Sequence, residues 1–227
     1  LFHYVCLTNC INMSSHHFVK EGQEPALIIA NGECCSYDLL TSLLEWCPHT
    51  VVCDGALDRV LQLQVKPDVV IGDFDSLEAR PTLLHTSYIH LADQNTTDLE
   101  KAINYLIDRG YTDIHVVWAT GRRLDHTINN FATLAKYSKL RIVLLDDHSR
   151  TFILPKKFEK RYENGQALSL VPIPKAVGIQ TENLKYNLTD ENLTFGGRSG
   201  TSNEALGDGL VKIAYKDGVL ALIESLD

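Results

Sequence analysis

The chain has 227 residues, 44% hydrophobic and 22% charged, which is enough for one large or two small packed domains and too balanced for wholesale disorder. Its 29 acidic and 21 basic residues give a net charge of −8 with no basic stripe. General nucleic-acid binding is therefore disfavoured, and any anion site must rest on a local cation cluster or a metal.

Six cysteines, Cys6, Cys10, Cys34, Cys35, Cys47 and Cys53, fall within the first 53 residues and form no CxxC pair. That clustering reads as reduced cytosolic thiols, since a secreted framework would staple the whole chain and the spacing does not suit zinc. No run reaches the roughly 18 apolar residues of a membrane span. Residues 1–24 read as a loose lead-in that holds the only methionine, Met13, and lacks the basic start and cleavage site of a signal peptide.

From 25 to 150, short apolar runs alternate with helical patterns. Strands are expected at 26–30, 51–53, 69–71, 88–91, 114–118 and 141–145. Helices are expected at 36–46, with Leu39, Leu40, Leu43 and Leu44 on one face, and at 56–64. A third runs over 97–109, opened by the capping box Thr97-x-x-Glu100 and stopped at Gly110. Leu124, Ile128, Phe131 and Ala135 mark a fourth. This alternation predicts an α/β fold, a Rossmann-like parallel sheet covered on both faces.

Beyond 150 the period changes. Strands are expected at 151–154, 167–171, 184–188, 210–215 and 219–223, with hairpin turns at Asn164-Gly165 and Asp217-Gly218. Residues 151–227 therefore read as a small antiparallel β-sandwich following an α/β domain at 25–150.

In an open α/β sheet, ligands bind beyond the carboxyl ends of the strands. Here those ends are acidic: Asp54-Gly55 after the second strand, Gly72-Asp73-Phe74-Asp75-Ser76 after the third, and Asp93 with Asp98 after the fourth. Carboxylates gathered a few Å apart repel by about 4 kcal/mol per pair at an effective dielectric near 20, so a divalent cation is implied. Mg²⁺ suits one or two of them together with waters and phosphate oxygens. One such aspartate alone would read as a helix cap or turn; three successive strand ends point to metal-assisted chemistry. The fifth strand leads into Gly121-Arg122-Arg123-Leu124-Asp125-His126, a glycine-containing turn at a helix start that suits phosphate. Lys101 lies within reach of the same anion, and His126 reads either as a base or as a structural residue. There is no Walker loop and no Gly-x-Gly-x-x-Gly after a strand, which disfavours P-loop kinases and ordinary dinucleotide enzymes.

Taken together, Asp54-Gly55-Ala56, the stretch 67–76, Asp93-Gln94-Asn95-Thr96-Thr97-Asp98, Gly121-Arg122-Arg123-Leu124-Asp125-His126, the stretch 184–188 and Thr201-Ser202-Asn203 resemble the thiamine pyrophosphokinase family, in a form closer to its bacterial branch. The resemblance implies a homodimer with active sites at the subunit interface, and transfer of diphosphate from ATP to thiamine with release of AMP. It implies Asp73, Asp75 and Asp98 as Mg²⁺ ligands, with Asp54 in the same cluster. It implies Gln94, Thr97, Lys101 and Arg123 on nucleotide or phosphates, Asp125 orienting Arg123 or substrate, and Thr201, Ser202 and Asn203 at the thiamine pocket. The chain departs from the family at Ala56-Leu57-Asp58 (usually Gly-Ala-Asn), at Arg122 (usually Gly), and at Val219-Leu220-Ala221-Leu222, where animal members carry a thiamine-packing Trp. The rival readings are a pyrophosphokinase for another alcohol such as a hydroxymethylpterin, a non-catalytic nucleotide-binding regulator, and a sugar-nucleotide transferase built on Asp73-x-Asp75.

Overall fold

A computed structural model of the chain describes residues 24–75 and 81–226. The expected lead-in, with Cys6, Cys10 and Met13, and Ser76 of the acidic loop lie outside the described residues.

The amino-terminal half is built from β1 (Ala26–Ile29), α1 (Tyr37–Trp46), β2 (His49–Cys53), a 3-10 turn at Asp54–Ala56, α2 (Leu57–Gln62), β3 (Val69–Gly72), β4 (Ser87–His90), α3 (Asp98–Ile107), β5 (Asp113–Val117), α4 (Leu124–Lys136) and β6 (Arg141–Leu145). These six strands pair in parallel in the order β4-β3-β2-β1-β5-β6. The strands run one way from β1 through β4 and then restart beside β1 at β5. The topological switch therefore lies between β1 and β5, where such folds open a crevice.

Alternation along β1 explains the two layers. Ala26 and Ile28 pack with Leu99, Ile103 and Leu106 of α3. Leu27 and Ile29 pack with Leu40 and Leu43 of α1 and Val60 of α2. All four β1 side chains are wholly buried, and burying an Ile or Leu contributes about 1.5–3 kcal/mol. α3 starts where the sequence places it. Thr97 Oγ1 accepts from the Glu100 amide, and the Glu100 carboxylate accepts from the Thr97 amide.

α4 exists, and Phe131 of its expected apolar stripe packs against the core, with Ala135 half-buried, but the first half of the stripe does not face inward. Leu124 and Ile128 are 72% and 56% exposed, whereas Asn130, Thr133 and Leu134 are buried. Asn130 turns inward because its Nδ2 donates to the Ala119 carbonyl at 2.8 Å and so holds the β5–α4 turn.

The remaining strands are β7 (Ser149–Ile153), β8 (Lys157–Tyr162), β9 (Ala167–Glu182), β10 (Thr189–Thr194), β11 (Gly200–Glu204), β12 (Gly209–Ala214) and β13 (Asp217–Ser225), and all of their pairings are antiparallel. They enclose a core of their own that includes Leu168, Leu170, Ile179, Val211, Ile213 and Leu222. β9, at 16 residues, pairs with β10, β11, β12 and β13.

Two expectations fail in this half. Residues 184–188 are not a strand but a turn with a single bridge from Leu184 to Ala205. Their alternation is broken by hydrogen bonding, since Asn187 Oδ1 accepts from the Leu184 amide and the Thr181 hydroxyl. Asn164-Gly165 and Asp217-Gly218 do not close hairpins either. β12 lies between β8 and β9, and β12 and β13 each pair with β9. Both glycines still take the left-handed conformation, at φ +81° and +83°.

Candidate active site

The carboxyl ends of β2, β3 and β4 bring the expected aspartates onto one rim. Asp54 is 2% exposed and turned inward. Its Oδ2 accepts from the Phe74 amide at 2.7 Å and its Oδ1 from the Gly55 amide at 2.6 Å. Only glycine fits at 72, because a Cβ there would lie 2.2 Å from the Asp54 carboxylate. Burial pushes the Asp54 carboxyl up, with the Asp98 and Asp73 charges adding to the rise and the two amides opposing it.

Asp73 and Asp75 lie outside this, towards solvent. Asp73 Oδ1 accepts from the Asp75 amide at 3.2 Å, and Oδ2 accepts from Gln94 Nε2 at 2.9 Å. These two donors hold the Asp73 carboxyl below the usual range. The Asp73 charge in turn raises Asp75. Lys101, 5% exposed, reaches Asp98 Oδ1 at 3.0 Å. Burial opposes its charge, but the hydrogen bond to Asp98 and the charges of Asp98, Asp73 and Asp54 outweigh that and raise it. Lys101 thus sits as a fixed counter-ion among the carboxylates. Thr97 is committed to the α3 cap, and Asp93 braces its own loop through Asn95 and Thr96.

Among the described residues, no three His, Cys, Asp or Glu side chains already form a metal-ligating group. The donor set nevertheless fits Mg²⁺, which needs only one or two carboxylates when phosphate and water complete its shell. Asp73, Asp75 and Asp98 all keep oxygens accessible, whereas Asp54 is occupied by two amides.

Arg123 and Asp125 form an exposed fork at the start of α4, with Nε to Oδ1 at 3.1 Å and Nη2 to Oδ2 at 2.5 Å. The Arg123 guanidinium lowers the Asp125 carboxyl to about 2. The His126 amide donates to Asp125, and its side chain is exposed.

The sequence reading missed the residues at the switch point. Asn31 follows β1, and its Oδ1 accepts from Arg59 Nη2 at 2.6 Å and from Arg122 Nη1 at 3.4 Å. Arg59 Nη1 also donates to the Gly32 carbonyl at 2.8 Å. Asp146, after β6, accepts from the Thr120 hydroxyl at 3.0 Å and steadies the loop beyond β5. The available signal was positional: Asn31 and Asp146 stand directly past apolar strands, as Asp54 does.

Thr201, Ser202 and Asn203 lie on β11. Asn203 is buried and clamps the 184–188 turn, donating from Nδ2 to the Tyr186 carbonyl at 2.9 Å and accepting at Oδ1 from the Tyr186 amide at 3.0 Å. Ser202 adopts φ +56°, and its amide donates to Ser169 Oγ. Thr201 lines a cavity of about 210 Å³ with Tyr186, Leu188, Arg198 and Ser199. None of the acidic-rim residues contributes to this cavity.

A model for the catalytic domain of thiamin pyrophosphokinase matches residues 40–144, and a model for that enzyme's vitamin B1 binding domain matches residues 156–220. The chain belongs to the thiamin pyrophosphokinase family. Thiamine pyrophosphokinase 1 of Oryza sativa subsp. japonica is 32% identical over 163 residues, covering 63% of this chain and 61% of the relative. Thiamine pyrophosphokinase of Bacillus subtilis (strain 168) is 25% identical over 188 residues, covering 77% and 86%. The crystal structure of thiamin pyrophosphokinase from Geobacillus thermodenitrificans superposes with a TM-score of 0.74 at 25% identity, covering 89% of this chain and 98% of that one. The chain spans about 61% of the length of the rice relative. These matches do not favour a pterin pyrophosphokinase, a non-catalytic regulator or a sugar-nucleotide transferase.

Proposed function

We propose that the chain transfers diphosphate from ATP to the hydroxyl of thiamine, giving thiamine diphosphate and AMP. The observation that carries this reading is the pairing of an intact acidic rim with a family match in both halves of the chain. The parallel half, 25–150, would handle the nucleotide, and 151–227 the acceptor.

Phosphoryl transfer depends mainly on positioning and charge neutralisation. Asp73, Asp75 and Asp98 would hold Mg²⁺, which when bound offsets charge on phosphate oxygens. Lys101, fixed by Asp98, supplies cationic charge from inside the rim. Gln94 orients Asp73, and Arg123 offers its guanidinium from the α4 start while Asp125 holds its plane. The thiamine hydroxyl attacks the β-phosphorus, AMP departs, and a rim carboxylate such as Asp98 or Asp73 takes the hydroxyl proton late. Asn203 supports the acceptor pocket by holding Tyr186 in place, and Thr201 and Ser202 face the acceptor.

A homodimer completes the site in this reading. Its support is the separation of the β11 cavity from the acidic rim within one chain, and the exposed Leu124 and Ile128 beside Arg123. The free thiols of Cys34, Cys35, Cys47 and Cys53 suit a reducing cytoplasm. Mass spectrometry of the products from thiamine, ATP and Mg²⁺ tests the reaction. ADP and thiamine monophosphate as first products would overturn it.

A further inference from the structure

We propose that Arg122, with Arg59 and Asn31, forms a phosphate subsite at the β1–β5 switch point that holds the phosphate the nucleotide keeps. This rests on the diphosphate transfer proposed above. The loops leaving β1 and β5 touch backbone to backbone there. The Gly32 amide donates to the Trp118 carbonyl at 2.5 Å, and the Glu33 amide to the Thr120 carbonyl at 2.7 Å. A Cβ at Gly32 would lie 2.3 Å from the Thr120 carbonyl oxygen, so the two loops form one closed lip.

Two arginines converge on that lip. Arg59 is anchored: it bonds to the Gly32 carbonyl and Asn31 Oδ1, donates to Cys34 Sγ at 3.2 Å, and its guanidinium carbon lies 4.9 Å from the Trp118 ring centre. Arg122 reaches the same Asn31 oxygen from the β5 side. One neutral amide oxygen therefore bridges two guanidinium groups. Among the described residues neither arginine has a carboxylate within ion-pair distance, in contrast to Arg123, which is paired with Asp125. Two cations arranged this way lack only a shared anion, and guanidinium pairs match phosphate oxygens in shape and charge.

The backbone supports the same assignment. Arg122 sits at φ +53°, directly after Gly121 at φ +74°. A side chain with a Cβ is disfavoured there, and Gly121 shows what the turn itself prefers. Strain of this kind is retained where the side chain has work to do. The location selects which phosphate is bound. The transferred diphosphate belongs at the acidic rim of β2 to β4, where metal ligands are available. Glu33 packs on Gly121 and Asp146 bonds Thr120 on these loops, but among the described residues neither carboxylate pairs with Arg59 or Arg122, so the two guanidinium groups suit the phosphate that leaves as part of AMP.

The test is calorimetric titration of the full chain with AMP and with adenosine, for the parent and for Arg122→Gly and Arg122→Ala. Both variants should weaken AMP binding about tenfold, the loss of one charge-assisted hydrogen-bonding group, and leave adenosine binding unchanged. The KM for ATP should rise in parallel, with a much smaller change in the KM for thiamine. Only Arg122→Gly should also raise Tm, because glycine relieves the backbone. Parental AMP affinity in Arg122→Gly, with AMP-forming turnover present, would overturn the subsite and leave the reaction standing. A parent chain that forms no AMP from ATP and thiamine would overturn the reaction itself, and with it the role given to this subsite.

Discussion

Replacing Lys101 with methionine probes the balance of charge at the rim. Lys101 and Asp98 lie 3.0 Å apart, which corresponds to about 5 kcal/mol of attraction at an effective dielectric of 20. The Lys101 side chain is 5% exposed and that of Asp98 is 37% exposed, so desolvation of the lysine and solvent screening of the aspartate cut this to a net loss of about 2 kcal/mol. Methionine keeps the length and the apolar stem, so packing changes little. The Lys101 pKa is raised above its ordinary 10.5, so the lysine's side of the attraction is fully present at neutral pH and is lost in alkali, as pH rises through the folded value. Without metal, Lys101→Met should lower Tm by about 4–8 °C for a chain of this size. Mg²⁺ should raise Tm more in the variant than in the parent, because Asp54, Asp73 and Asp98 then lack their internal cation. Turnover should fall by about two orders of magnitude, as expected when a cation facing the phosphates is removed. The assay is thermal unfolding in EDTA and in Mg²⁺, paired with AMP release. Identical melting curves for parent and variant under both conditions would refute the argument that Lys101 compensates the rim.

Asp73→Asn should cut kcat at least about 100-fold by removing an Mg²⁺ ligand, while Tm in EDTA holds or rises; near-normal kcat with unchanged Mg²⁺ dependence would contradict the assignment. Asn203→Ala should cost about 2 kcal/mol in denaturant unfolding, because both Tyr186 backbone bonds are lost. Thr201→Ala should instead raise the KM for thiamine without a comparable change in that for ATP; equal shifts in the two would argue against an acceptor role. The Asp125 carboxyl should titrate near 2 by NMR and return towards 3.8 in Arg123→Ala. Its depressed value means that the pair's contribution is present above the ordinary value and is lost as pH falls towards about 2, and an unshifted Asp125 in the parent would show the fork to be absent in solution.

What the sequence alone determined was local. The capping box at Thr97, the apolar runs at 26–30 and 141–145, and aspartates directly after strands are short-range features whose cause lies within a few residues. Parallel order and the acidic rim follow from them, because strands alternating with helices force their carboxyl ends to one edge. The tertiary structure decided everything that depends on a distant partner. Leu124 and Ile128 look like part of a core stripe with Phe131, yet only Phe131 packs inward, beside Leu134 and Asn130, whose amide is claimed by Ala119. Residues 184–188 alternate like a strand, yet Asn203 and Asn187 fold them into a turn. β8, with Lys157, Glu159 and Arg161 on its exposed face, pairs with β12 rather than with its neighbour in sequence, so its turn signal named the wrong partner. Asn31, Arg59 and Arg122 are separated by up to 91 positions. Only the switch in strand order between β1 and β5 brings them together, and no local pattern encodes that meeting.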